Sequence, residues 1–241
     1  MKIKKTFLIC SIMTALTISG YSHADWAGEA ELGISSSGGN TDNTLVNTKI
    51  DFDLVKKRWR HNIFGHFYYA ENNGKGTAEN CDIGYKPRYF MTDQDYLFAF
   101  LRYDQDKFAS IDHRTTGVAG YGRQFISIEK HLLDVELGLG ARETIYLPSP
   151  STADLNNNEI VYFLGGKYIG RISNTARFFE TVRVEAAQDN SYIESITGLG
   201  LSITGSLSAK ISYTVRYNTD VTGDKGKKID TLTGVNLVYS F

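Results

Sequence analysis

The chain has 241 residues and a formal net charge of -1, with 23 glycines, three prolines and two cysteines. A near-neutral balance without a basic patch argues against nucleic acid as a partner. Fifteen tyrosines, thirteen phenylalanines and so few prolines favour strands over helices.

The first element is a leader. "MKIKK" is basic, residues 6–22 are uncharged, and "SHA" precedes Asp25. That order of basic, apolar and small-x-small segments reads as a secretory signal peptide over residues 1–24. Its apolar core is too short to span a bilayer comfortably. Cys10 lies too early, and without the small neighbours, for lipoprotein processing. Removing the leader takes away Lys2, Lys4 and Lys5 and no acid, so the charge moves from -1 to -4. Cys81 is then the single cysteine, and no internal disulfide framework is possible. Residues 25–241 are expected to form one exported domain.

That domain reads as strand after strand, because alternating side chains point to opposite faces of a sheet. Twelve strands are expected, at 26–36, 44–56, 59–71, 79–90, 95–107, 112–126, 130–145, 159–171, 175–188, 191–204, 207–218 and 229–241. Val46, Thr48, Ile50, Phe52 and Leu54 alternate with Asn47, Lys49, Asp51 and Asp53. Leu133, Val135, Leu137, Leu139 and Ala141 alternate with Asp134, Glu136, Gly138, Gly140 and Arg142. Parity is ambiguous in 111–126 and 159–187. The connections alternate too. "KR", "MTDQ", "SIE", "SNT" and "GS" are short, whereas "SSGGNTD", "NNGKGTA", "LPSPSTADLNNN" and "TDVTGDKGKK" are longer and polar, as is the segment near "FASI".

An even number of strands, with tight turns at one end and polar loops at the other, describes a transmembrane antiparallel up-and-down β-barrel of the bacterial outer membrane. The long loops are then expected outside the cell. Aromatics fall in two groups that suit interfacial girdles. Trp26, Trp59, Tyr89, Phe90, Tyr96, Phe125, Phe178, Tyr239 and Phe241 lie near the short turns. Tyr69, Tyr103, Phe108, Tyr146, Tyr162, Tyr192 and Tyr217 lie toward the long loops. A soluble β-sandwich is the alternative, and it expects shorter strands with aromatics at mid-strand.

The terminal "LTGVNLVYSF" places Val235, Leu237, Tyr239 and Phe241 on one face. In a barrel that strand pairs with the first, its apolar face meets lipid, and no free edge remains. A last strand ending in Phe241 resembles the signal read by the outer-membrane barrel assembly machinery. As a whole, residues 26–241 resemble the YdiY-like family of salt-induced outer-membrane proteins. "WAGEAELGISSSGGNTDNTLVNTKIDF" is similar to that family's N-terminal hairpin, and "GYGRQFI" with "ELGLGAR" to its centre. The resemblance implies an outer-membrane location and a link to salt or envelope stress, without a mechanism.

On the readable strands the inward face collects Glu29, Glu31, Asp51, Asp53, Asp82, Asp104, Asp134 and Glu136. Lys49, Arg60, Lys86, Arg88, Arg102, Arg142, Lys210 and Arg216 share it. A pore selective for one sign would bias that inventory, and this one is balanced. An ion-paired filling is the simpler reading, with a narrow aqueous path as the other.

No catalytic, cofactor-binding or metal-binding residues are expected. His66 has inward parity and reads as packing. His113, near Ser110 and Asp112, is the one histidine in a cluster, and neighbours that close in sequence rarely make a nucleophile–base pair. There is neither a G-x-S-x-G elbow nor an H-E-x-x-H pair. Asp220, Asp224 and Asp230 lack calcium-loop spacing and stand among lysines. The sequence therefore points to a non-enzymatic barrel, structural or narrow-channel in type. An outer-membrane hydrolase and a loop-mediated binding or adhesion barrel are the alternatives.

Overall fold

The computed structural model describes residues 25–37, 43–106, 111–146, 156–188, 190–219 and 228–241. The leader at 1–24 lies outside them, as do Phe108, Ser110, Asp220, Asp224 and the whole of the segments at 38–42, 107–110, 147–155 and 220–227.

Every regular element among the described residues is a strand. In chain order they are β1 (Asp25–Ser37), β2 (Asn43–Lys56), β3 (Trp59–Asn72), β4 (Lys75–Phe90), β5 (Asp95–Asp106) and β6 (Ile111–Ile128). There follow β7 (His131–Tyr146), β8 (Asn156–Arg171), β9 (Ala176–Ala186), β10 (Tyr192–Thr204), β11 (Leu207–Asn218) and β12 (Ile229–Ser240). Each pairs antiparallel with its neighbours in the chain, and β12 returns to β1 to close a twelve-stranded barrel. The expected strand count and order are observed.

One connection differs from expectation. "NNGKGTA" is not a long loop, because β4 begins at Lys75 and only Asn73 and Gly74 join it to β3. Both have positive φ, 49° and 72°, the backbone of a two-residue hairpin turn that asparagine and glycine adopt at little cost.

The faces are inverted relative to a soluble protein. Leu137 is 60% exposed and Val235 is 66% exposed, both on the outside wall. Among the described residues, sixteen of those buried are polar or charged against nine hydrophobic ones, so the interior is polar and the exterior apolar. That excludes the sandwich. Trp26, Phe52, Tyr239 and Phe241 cluster outside the short-turn end, as do Trp59 and Tyr89. Three members of the expected girdles belong elsewhere. Phe90, Tyr96 and Tyr192 are buried in the lumen, since their parity, and not their height, decides which solvent they meet.

Candidate functional site: the barrel lumen

The lumen is built by alternation, and it carries the residues that alternation named. Asp82, Lys86 and Arg88 enter from β4, Arg102 and Asp104 from β5, and Asp134, Glu136 and Arg142 from β7. The strands of ambiguous parity, and β10, contribute more. Arg114 comes from β6, Glu159 and Lys167 from β8, Arg177, Arg183 and Glu185 from β9, and Glu194 from β10. These add three acids and four bases to an equal set, so the balance persists.

On the long-loop half the charges form a continuous chain. His66 Nδ1 lies 2.9 Å from Asp82, which accepts from Arg102 Nη2 at 3.3 Å. Arg114 donates to Asp104 at 2.9 Å. The Tyr192 ring lies between Arg114 and Arg183, 5.6 Å and 5.1 Å from their guanidinium carbons. Arg183 continues to Glu194 at 3.1 Å, and Glu194 accepts from Arg216 at 2.7 Å. Arg142 binds Glu159 at 2.7 Å, approaches Glu185 at 3.6 Å, and also donates to the Asn190 carbonyl.

A second layer is aromatic. Phe64, Phe98, Phe100 and Phe163 meet inside the barrel, with Phe163 5.7 Å from Phe98 and 5.8 Å from Phe100. Three of these rings surround the Lys86 ammonium, at 5.2 Å, 5.9 Å and 5.7 Å for Phe98, Phe100 and Phe163. Lys86 also pairs with Glu136, which Arg88 holds at 3.2 Å and the Tyr96 hydroxyl at 3.1 Å. Gly84 makes this packing possible, since a Cβ there would lie 2.1 Å from Phe64 Cζ.

Toward the short-turn mouth the lumen opens. Arg142 and Asp104 are at most 1% exposed, whereas Glu29 and Arg177, paired across the mouth at 2.9 Å, are 36% and 48% exposed. Beside them lies a cavity of about 480 Å³, lined by Arg177, Gly200, Ser202, Ser208 and Ser240. On the β1–β2 side, Glu31 gathers Lys210 at 2.8 Å, Lys49 at 3.8 Å and Asn236 at 3.1 Å. The lumen is thus a vestibule that ends on a filled, ion-paired and aromatic plug.

The histidines do not assemble a nucleophile. His66 faces Asp82, His61 meets the Tyr85 hydroxyl at 2.7 Å, and His131 meets that of Tyr168 at 2.9 Å. His113 lies 3.0 Å from Asp112. Among the described residues, no group of histidine, cysteine and carboxylates is arranged to hold a metal.

The family model described as "Protein of unknown function, DUF481" matches residues 30–241. "Uncharacterized protein YdiY" of Escherichia coli K12 is 24% identical over 230 residues, 95% of this chain and 89% of that protein. Among solved structures, the NanC porin superposes with a TM-score of 0.51 at 9% identity, covering 90% of this chain and 98% of that one. The COG4313 outer membrane channel from Pseudomonas putida F1 also has a TM-score of 0.51, at 12% identity, covering 90% and 95%. These likenesses concern the fold, and the fold is that of bacterial outer-membrane barrels.

Proposed function

Because the chain belongs to the family described as "Protein of unknown function, DUF481", we propose that its members' barrel, in this protein, is an outer-membrane element whose lumen is closed at rest. It is structural or narrow-channel in type, and not an enzyme. Export runs through the leader at 1–24, and the assembly machinery reads the terminal strand ending in Phe241. The family resemblance supports a role in salt or envelope stress.

The observation that carries this reading is the plug. The charge chain from His66 to Arg216, and the four phenylalanines beside it, occupy the lumen and leave few charges unpaired. Buried ions stay buried only when paired, and each broken pair is costly. Twelve strands also enclose less space than the 16–18 of general porins. Purified, refolded protein in planar bilayers is expected to show little or no steady conductance. A large and stable wild-type conductance would overturn the closed lumen.

A further inference from the structure

Glu180 faces the bilayer. Its strand sends Arg177, Arg183 and Glu185 inward, to Glu29, Glu194 and Arg142 respectively, so the opposite parity of Glu180 points outside. Cross-strand register sets it in one row with Tyr168, Thr197, Tyr213 and Thr233, on five consecutive strands from β8 to β12. Leu199 and Ile211, beside that row, are 39% and 44% exposed on the same wall. Among the described residues, and away from the two rims, Glu180 is the one charged side chain on the lipid-facing surface.

Its carboxylate is held by hydroxyls. Ser195 Oγ donates at 2.7 Å to one oxygen and Thr197 Oγ1 donates to the other. Among the described residues no lysine or arginine pairs with it. Tyr213 lies two strands away, about 10 Å by strand spacing, on the far side of Thr197. Its ring is 48% exposed, and its hydroxyl has no partner among the described residues.

Ionisable and polar groups within a membrane persist where they meet other polar groups. An acceptor and a donor flanking Thr197 make a surface complementary to itself. A half-turn about the membrane normal near Thr197 brings Glu180 of each barrel to face Tyr213 of the other laterally. The two are offset in height by about 6 Å because the row climbs with the strand tilt, a gap within the reach of a tyrosine ring. We propose that the β8–β12 wall is the interface of a two-fold dimer with a second copy of this chain, closed by reciprocal Glu180–Tyr213 hydrogen bonds.

The seam lies on the same side. The β1–β12 ladder is short, with register pairs from Glu29↔Ser240 to Leu32↔Leu237 and two further backbone bonds between Gly28 and Phe241. A neighbouring wall on this side would cover the short seam between β1 and β12. The dimer does not depend on whether the lumen conducts.

Cysteine cross-linking in intact outer membranes tests the proposal. In a Cys81→Ala background, Thr197→Cys stands near the axis, and Ser195 still holds Glu180. Mild oxidation is expected to give disulfide-linked dimers. Ile83→Cys, 51% exposed on β4 across the barrel, is expected to remain monomeric. Adding Glu180→Gln and Tyr213→Phe should cut the Thr197→Cys dimer about tenfold, as the loss of two membrane hydrogen bonds implies. Heat-modifiable migration would show that the barrels still fold. Equal cross-linking at both positions, or a Thr197→Cys yield indifferent to Glu180 and Tyr213, would overturn the dimer. So would native mass spectrometry showing only an ammonium-headed phospholipid, or a different protein, held on this wall.

Discussion

A single side chain in this barrel is judged by which solvent it meets. Leu137 meets lipid from the middle of β7, while Ser208 lines the open vestibule from β11. The same new residue at the two places should therefore behave oppositely. Leu137→Arg is expected to cost about 2–4 kcal/mol, the range for a cation near the bilayer midplane. Ser208→Arg should stay within about 0.5 kcal/mol, as for ordinary solvated positions. Urea titrations of the refolded variants compare them, and equal losses would reject the assigned faces. Parity is not the whole of it. Gly138 faces inward, and alternation suggests that Gly138→Ser is mild. Yet a Cβ there would lie 2.7 Å from Val118 Cγ1 and 3.0 Å from the Ala119 carbonyl, so even a small side chain must displace packed neighbours. Crowding of that kind comes across the ladder from the paired strand β6 and from Phe98 on β5, and no pattern within β7 announces it.

Strands were legible wherever the period of two is unbroken. β4, β5, β7 and β11 alternate along their length, and their inward charges are the ones that meet in the lumen. β6 was not readable, because register shifts between Ile111 and His113 and between Gln124 and Ile126 change which residues share a face. β9 failed for another reason. It carries adjacent phenylalanines, one on each face, and an outward Glu180 that mimics an inward charge. With that parity lost, Arg183 and Glu185 escaped the sequence inventory, although Arg142, which Glu185 approaches, was in it. The closing strand was readable in pattern but not in detail. Its terminal residue exchanges two 2.9 Å backbone bonds with Gly28, and a Cβ on Gly28 would lie 2.5 Å from the Phe241 ring. The shortest ladder in the barrel thus depends on one absent side chain. Gly28→Val should push Phe241 aside and lower the fraction of protein that reaches the heat-modifiable form. Gly74→Val, at an open turn with a φ of 72°, should strain the β3–β4 hairpin while leaving the seam intact. Limited proteolysis separates the two: cleavage near the C-terminus is expected only for Gly28→Val.

For the whole molecule the question is what keeps the lumen shut. Two kinds of matter fill it, ion pairs and phenylalanine rings, and they respond differently to one substitution. Arg88 lies 3.2 Å from Glu136 and 3.9 Å from Asp134, while Arg102 lies 3.3 Å from Asp82 and 3.9 Å from Asp104. Arg88→Ala with Arg102→Ala removes two long side chains from two clusters and leaves four carboxylates short of cation. Unpaired buried charge is costly, so water and mobile cations should enter to solvate it. The expected result is a conductance absent from the wild type, with a reversal potential in a salt gradient that marks cation preference. Arg88→Met with Arg102→Met removes the same charge and less volume. It should keep the preference and conduct less, which separates the electrostatic effect from the steric one. Lys86 still sits on Glu136 among Phe98, Phe100 and Phe163 in both variants. If both stay silent while remaining folded, closure resides in those rings and not in the charges. Phe100→Ala added to the alanine pair should then open the path, because it removes the ring that joins Phe64 to Phe163 at 6.1 Å and 5.8 Å.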